Sequence, residues 1–279
     1  MNFIHISILA LVQGLAELLP VSSSAHVILV EKLLGLDPTA PDMTLLLVML
    51  HTGTMFAVIV YFWRSWRKTY FSSGQSLRTN GQLVAVATVA TGLVGFALLK
   101  VIERVFAGGG SSFEVEQLFG NTRLIASGLT AAGILIVVSS RRVLLVDKAV
   151  TAQSAVWIGA VQGLCLPFRG FSRSGATIST GLLSGVSRQR AEEFSFALAV
   201  VLTPAVIARE GMRFYKAYAA APHIGSFWSL LGPSALGMVL SFFAGLAALR
   251  WLSSWLEEGR WVYFGVYCLA LAASVFAFV

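Results

Sequence analysis

Two short polar segments interrupt apolar stretches of the chain and hold most of the side chains that could do chemistry. Residues 15–26 read LAELLPVSSSAH, and residues 164–179 read LCLPFRGFSRSGATIS. Each combines a proline and several serines with charged or basic groups, which could bind an anion or transfer a proton. Backbone that leaves the helix at membrane depth must be buried in protein or line a wet cavity. Both segments therefore predict re-entrant or broken helices that build one polar site.

Glu17 is the principal candidate of the first segment. A carboxylate inside an apolar helix costs roughly 2.5–3.5 kcal/mol to insert, so a functional role is the default interpretation. Gln13 lies four residues earlier on the same helical face. Together the two side chains could present oxygen atoms to a hard cation or a polarised water. A buried structural carboxylate is the weaker alternative, because a serine cluster follows directly.

The serine cluster at 22–24 predicts the start of a second short helix. Pro20 disfavours helix at Leu19, and serines are natural residues for a helix start that runs through His26. Free N–H groups at such a start attract phosphate. His26 could shuttle a proton or attack phosphorus, although a lone histidine is more often a satisfied core residue. His51 could face the same cavity or bond a neighbouring helix.

The second segment indicates an anion-binding loop. Gly170 and Gly175 allow the backbone to approach a ligand closely, and the hydroxyls and N–H groups can form an anion nest. Arg173 adds a planar fork that matches phosphate bidentately. The alternative for this arginine is a topology signal at a helix end, and for Arg169, nearer the loop entrance, that alternative is equally good.

The elements that must carry these residues are membrane helices. The chain is 57% hydrophobic and 12% charged, whereas soluble domains carry about 25% charged residues. Spanning a bilayer takes roughly 20 apolar residues. The stretches that meet this requirement are 43–63, 81–99, 124–140, 227–249 and 261–279. The stretch 194–208 is shorter and contains Pro204, so about six full spans are predicted. The fold class is therefore an all-α polytopic membrane protein.

The basic residues predict membrane orientation and exclude nucleic-acid binding. The net charge is +7, but the basic residues lie between apolar segments, as topology signals do. The basic loops at 64–80 and 141–148 are expected to be cytoplasmic, and the loop at 103–122 to be outside. The two cysteines lie far apart in apolar segments and indicate neither a disulfide framework nor a metal site.

The two polar segments also resemble each other. A shift of 149 residues aligns Val-Gln-Gly-Leu at 12–15 with the same four residues at 161–164. This predicts one membrane domain, 1–279, built as an inverted-topology repeat, with the first repeat and its connecting spans at 1–140 and the second at 149–279. Paired interrupted segments in two halves indicate a membrane binding site.

These motifs resemble those of the undecaprenyl-diphosphate phosphatases, also called bacitracin-resistance proteins. QGLAE followed by PVSSSAH fits the first family motif in its glutamine variant, and GFSRSGA fits the second. Arg169 stands where the family motif has proline, which could change the loop's entry angle or add a phosphate contact. The resemblance implies interlocked inverted repeats, a divalent cation (Mg²⁺ or Ca²⁺), and hydrolysis of undecaprenyl diphosphate to the monophosphate carrier lipid of cell-wall assembly.

The resemblance also implies roles for individual residues. Catalytic roles are expected for Glu17, His26, Ser23 and Arg173, and metal binding for Glu17 and Gln13. Substrate-binding roles are expected for Gln13, Ser22, Ser172, Ser174, Gly170, Gly175 and Thr177. Whether a serine, His26 or water attacks the phosphorus stays open.

The expected location is the bacterial inner membrane, with membrane lipid around the protein and the site facing the extracytoplasmic side. A homodimer is left open. The main rival is a transporter or flippase of a polyprenyl phosphate lipid, because broken helices in inverted repeats are common in transporters. A second rival is a lipid-binding subunit without catalysis.

Overall fold

The computed structural model describes residues 2–37, 40–106, 121–141, 148–220 and 227–277, and the regular secondary structure within these ranges is entirely α-helical. Parts of the loops used to predict orientation, 107–120 and 142–147, lie outside the described residues. The ten helices are α1 (Phe3–Leu18), α2 (Ser23–Leu33), α3 (Pro41–Thr69), α4 (Gly74–Phe106), α5 (Thr122–Ser140), α6 (Ala152–Cys165), α7 (Arg173–Leu183), α8 (Arg188–Ala220), α9 (Phe227–Glu257) and α10 (Val262–Ala277).

Five of the described helices are long and apolar enough to cross a bilayer, namely α3, α4, α5, α8 and α9. The protein is therefore a polytopic membrane protein. The expected sixth span, 261–279, corresponds to α10, which has only 16 described helical residues. The short apolar stretch at 194–208 belongs to a helix of 33 residues that continues through Pro204.

Both predicted helix breaks are present. Helix α1 ends at Leu18, and Leu19 takes an extended conformation immediately before Pro20, as the steric restriction on a residue before proline requires. Ser22 has a φ of 67°, in the left-handed region, and α2 then starts at Ser23. This single left-handed residue lets the chain reverse direction between two short helices without a glycine.

The helices group into two compact units. The first contains Met1–Leu19, Ser23–Trp63 and Ala199–Leu252. Its core is formed by apolar side chains of α1, α2 and α3, including Leu9, Val27 and Leu46. Helices α1 and α9 meet at backbone distance, because a Cβ atom on Gly14 would lie 2.6 Å from the Ala244 Cβ and 2.8 Å from the Ser241 carbonyl oxygen.

The second unit contains Pro20–Ser22, Arg64–Leu198 and Ser253–Val279. Helix α6 packs on α4, α5 packs on α10, and α7 contacts both α5 and α6. The α6–α4 contact is again at backbone distance, because a Cβ atom on Gly163 would lie 2.7 Å from the Thr91 carbonyl oxygen and 2.9 Å from the Val94 Cβ. A larger residue than glycine would force these helix pairs apart.

The same glycine contact therefore occurs once in each unit. Gly14 and Gly163 are 149 residues apart, and their neighbours Ser241 and Thr91 are 150 apart. Helices α1 and α6 also start 149 residues apart. This correspondence supports an internal duplication, and each unit contains helices from both halves of the sequence. The repeat boundaries at 140 and 149 stay a prediction.

Candidate active site

The first unit brings Gln13, Glu17, Ser23 and His51 together. Gln13 Nε2 lies 3.3 Å from Glu17 Oε2 and 3.1 Å from His51 Nδ1. The Ser23 hydroxyl donates to the same Glu17 oxygen at 2.7 Å. Gln13 is buried, whereas the side chains of His51 and Glu17 keep 29% and 20% of their surface exposed. The expected pairing of Gln13 with Glu17 one helical turn apart is present.

The carboxylate of Glu17 can therefore act on the hydroxyl of Ser23. A carboxylate that accepts a hydrogen bond from a hydroxyl is in position to take its proton when that oxygen attacks an electrophile. The break after α1 makes the contact possible: Glu17 lies in the last turn of α1 and Ser23 in the first turn of α2, and the two helices pack on each other. His26 follows on α2, half-buried, three residues after Ser23.

The second unit carries the predicted anion loop at the start of α7. Ser172 is the N-cap of α7, and its hydroxyl accepts from the Gly175 N–H at 3.3 Å and lies 3.5 Å from the Ser174 hydroxyl. Arg173 is the first residue of the helix and is half-buried. A helix N-terminus and a guanidinium group both favour a bound anion, so the local arrangement suits phosphate.

Gly170 shapes this loop. Its φ is 101°, a conformation that residues with a Cβ rarely adopt, and an added Cβ would lie 2.2 Å from the Ile125 carbonyl oxygen. Helix α5 supports the loop from the same side, since a Cβ on Gly128 would meet the Phe171 nitrogen at 2.6 Å. The loop backbone therefore lies directly on α5, and the two glycines make that approach possible.

Thr177 is in the same segment, but it is fully buried. Its hydroxyl donates to the Arg173 carbonyl oxygen at 2.8 Å and lies 2.6 Å from the Ser195 hydroxyl of α8. These contacts hold the first turn of α7, and with it Arg173, against α8. Thr177 thus contributes to the loop through its protein partners.

Part of the first break lies against the second. Pro20 belongs to the second unit, and a Cβ on Gly175 would lie 3.2 Å from the Pro20 Cβ. The Cys268 thiol donates to the Pro20 carbonyl oxygen at 3.2 Å, which fixes this residue against α10. Ser22, predicted to bind substrate, is buried in the same unit. The expectation that Glu17 and Arg173 enclose one anion stays a prediction.

A profile of the family described as bacitracin resistance protein BacA matches residues 6–274. The chain belongs to the BacA family.

Three relatives match nearly the whole chain. Undecaprenyl-diphosphatase 2 of Acinetobacter baylyi is 62% identical, covering 99% of this chain and 97% of its own length. An undecaprenyl-diphosphatase of Thermus thermophilus is 35% identical over 97% of this chain and 95% of its own. An undecaprenyl-diphosphatase of Desulfatibacillum aliphaticivorans is 32% identical over 99% of this chain and 98% of its own length. The expected family membership is confirmed.

The oxygen atoms of the first cluster are compatible with the divalent cation that the BacA resemblance implies. The described residues contain no group of three or more histidine, cysteine, aspartate or glutamate side chains that could hold a metal. Magnesium, however, is commonly bound by one or two carboxylates together with substrate phosphates. Glu17 supplies one carboxylate, which fits a cation held jointly with a diphosphate, whereas the Gln13 amide faces Glu17 with its nitrogen.

Two contacts of this BacA-family site could not be read from the motifs. His51 lies 38 positions from Gln13, and Ser195 lies 18 positions from Thr177. The only signal for His51 was a polar ring in the middle of an apolar span. Ser195, in the sequence EEFSF, carried no signal, because a serine in an apolar helix commonly bonds only its own backbone.

Proposed function

We propose that this chain hydrolyses undecaprenyl diphosphate to undecaprenyl monophosphate and inorganic phosphate. The BacA-family match over residues 6–274 and the full-length relative named undecaprenyl-diphosphatase 2 support this reaction. The observation that carries the chemistry is the 2.7 Å hydrogen bond from Ser23 to Glu17. It pairs a nucleophile with a base inside a membrane protein. The product is the carrier lipid of cell-wall assembly.

The Ser23 oxygen attacks the terminal phosphorus, and its proton passes to Glu17. The bond from phosphorus to the bridging oxygen breaks, and undecaprenyl monophosphate leaves with the electron pair. Water then attacks the phosphoserine, the bond from phosphorus to the serine oxygen breaks, and that oxygen recovers its proton from Glu17. His26, one turn along α2, is available to exchange protons with the phosphate.

Arg173 and the N–H groups at the start of α7 bind the phosphate oxygens. Phosphoryl transfer depends mainly on positioning and on neutralising negative charge. A guanidinium matches two phosphate oxygens at once, and Gly170, Ser172, Ser174 and Gly175 shape the loop that presents it. Gln13 and Ser22 also contact the substrate in this proposal.

Glu17 and Gln13 would hold a divalent cation, Mg²⁺ or Ca²⁺. When bound, the cation would neutralise charge on the diphosphate. Glu17 would still be able to accept the hydrogen bond of Ser23, because a carboxylate has two oxygens that can bind different partners.

The enzyme acts in the bacterial inner membrane, with its active site open to the extracytoplasmic side. The family resemblance supports this location. Basic residues at the end of α3 and near the start of α4 indicate that the loop between these helices is cytoplasmic. Arg67 and Lys68 lie in the last turn of α3.

Phosphate release from undecaprenyl or farnesyl diphosphate in detergent, with and without a chelator, tests the activity. We expect release by the purified protein and a loss of at least about tenfold on chelation, because a bound cation supplies several kcal/mol of charge stabilisation. A protein that binds the lipid but releases no phosphate would support a transporter or a binding subunit, since detergent removes any gradient that drives transport.

A further inference from the structure

His51 is the one residue of the first cluster to which the proposed chemistry gives no role. Its position on α3 is tightly defined. The Ser241 hydroxyl of α9 donates to the Leu50 carbonyl oxygen at 3.0 Å, and the Thr54 hydroxyl donates to the His51 carbonyl oxygen at 3.0 Å. The next glycine, Gly53, approaches the α9 backbone so closely that any Cβ would overlap it. The imidazole is therefore presented from a fixed backbone.

The amide of Gln13 lies between His51 and Glu17. Its nitrogen is within hydrogen-bond distance of both, at 3.1 Å from His51 Nδ1 and 3.3 Å from Glu17 Oε2. The direct separation of His51 Nδ1 and Glu17 Oε2 is longer, at 3.9 Å. An amide nitrogen carries two hydrogens, so one can go to the carboxylate and the other to the imidazole.

These two acceptors determine which way the amide faces. If the amide were turned over, its oxygen would face the Glu17 carboxylate oxygen, and two acceptors would oppose each other. With the nitrogen between the two acceptors, the amide oxygen points away from both. A ring nitrogen that accepts from Gln13 carries no hydrogen of its own, so the ring hydrogen is on Nε2.

The equivalent glutamine of the second half, Gln162, has a different hydrogen-bond partner. Gln162 is fully buried, and its amide nitrogen donates to the Thr91 hydroxyl at 3.1 Å. Thr91 in turn lies 2.9 Å from the Gly159 carbonyl oxygen. Each glutamine is thus oriented by an acceptor on a neighbouring helix. Glu17 follows Gln13 by four residues, whereas Leu166 holds the matching position after Gln162.

We propose that His51 is a positioning residue that accepts an N–H of Gln13, and so holds the amide nitrogen beside Glu17 and directs the amide oxygen to the opposite side. The role rests on the proposed function, because the amide oxygen matters only if Glu17 and Gln13 contact the diphosphate or its cation. Residues that orient metal or substrate ligands in this way commonly contribute about 10–100-fold to affinity or activity.

The test compares two substitutions of His51. His51→Leu removes the acceptor, and we expect a loss in kcat/KM of about 10–100-fold. His51→Asn returns an amide oxygen near the position of Nδ1 and is expected to recover most of that loss. His5→Leu, on α1 away from the cluster, is the matched control and should behave as the parent. Equal losses in His51→Leu and His51→Asn would overturn the proposal.

A double-mutant cycle separates positioning from a direct or purely structural role. If His51 acts through Gln13, adding His51→Leu to Gln13→Leu should cause little further loss, because residues that act as one unit are not additive. If the kcat/KM losses of the two single variants multiply in the double variant, the proposal is overturned. If His51→Leu does not fold, His51→Asn can be added to Gln13→Leu instead. We then expect the double variant to have the same kcat/KM as Gln13→Leu alone.

Binding provides a readout that does not depend on turnover. A methylene-bridged farnesyl diphosphonate cannot be hydrolysed at the bridge, and its binding should raise the unfolding temperature of the parent protein. We expect the probe to raise the unfolding temperature less for His51→Leu than for the parent, and by nearly the parental amount for His51→Asn. A parent that binds the probe without releasing phosphate from farnesyl diphosphate would refute the proposed function, and the binding comparison would still test His51. Equal rises for the parent and His51→Leu would overturn the role of His51.

Discussion

Glu17 receives two hydrogen bonds on a single oxygen, from the Ser23 hydroxyl at 2.7 Å and the Gln13 amide at 3.3 Å. Gln13 and Glu17 could be paired from the sequence, because residues four apart share a helical face. The family resemblance implies a catalytic role for Ser23, but its hydrogen bond to Glu17 depends on the turn between α1 and α2.

Glu17→Ala should lower kcat/KM for undecaprenyl diphosphate by at least about a hundredfold, because it removes both the base and a charged group that positions the site. Phosphate release by the purified variant measures the effect. Glu103→Ala changes an exposed glutamate paired with Lys100 and serves as the control. Near-normal turnover by Glu17→Ala would contradict the assignment.

Arg173→Ala should also lower kcat/KM by at least about a hundredfold, since removing one positioned electrostatic group commonly costs that much. Arg173→Lys keeps the charge but loses the bidentate fork, so we expect it to remain impaired. The control is Arg123→Ala, an exposed arginine at the start of α5. Full activity in Arg173→Ala would remove the phosphate-binding role from this loop.

At the scale of elements, the anion loop depends on helices that are remote in sequence. Helix α5 lies under the loop at Ile125 and Gly128, and α8 holds the first turn of α7 through the Ser195–Thr177 contact. A glycine in a loop motif suggests close approach to a ligand. Here Gly170 also makes a close approach to the protein's own α5 backbone, which sequence alone could not distinguish.

Gly170→Ala should destabilise the protein, because its φ of 101° is strained for alanine and the new methyl group would meet the Ile125 carbonyl oxygen. Backbone strain of this kind costs of order 1–3 kcal/mol. Thermal unfolding in detergent should show a lower midpoint, with reduced phosphate release. Gly74→Ala, where an added Cβ meets no atom within 4 Å, is the control. Equal midpoints for the two variants would show that α5 does not constrain the loop.

At the scale of the whole molecule, the two compact units do not coincide with the two halves of the sequence. The first unit takes α1, α2 and most of α3 from the first half and most of α8 and α9 from the second. The paired glycine contacts of Gly14 and Gly163 support an origin by duplication. The two halves of the sequence carry different chemistry, with Glu17 in the first and Arg173 in the second. We infer that a duplicated, symmetric scaffold later acquired a different role in each half.

Orientation can be checked with a cysteine in the loop region between α3 and α4. Gln75 is exposed near the start of α4, and the adjacent basic residues predict that it is cytoplasmic. Gln75→Cys should react with a membrane-impermeant maleimide only after the cells are permeabilised. The parent chain, with Cys165 and Cys268 alone, provides the background. Labelling of intact cells would reverse the predicted orientation.

The sequence by itself determined the features that depend on residues a few positions apart. Apolar run length predicted the membrane helices, Pro20 predicted the end of α1, and the spacing of Gln13 and Glu17 predicted their shared face. Helix α10, with 16 described helical residues, is shorter than the apolar stretch at 261–279.

Only the tertiary structure decided the contacts between helices. His51 meets Gln13, and Gly170 lies against Ile125, although neither pair is close in sequence. Local periodicity determines which face of a helix is polar, but it does not determine the neighbouring helix that this face meets or the register of the contact. Those depend on backbone approach at small residues such as Gly14 and Gly163, where side-chain volume sets how closely two helices can pack.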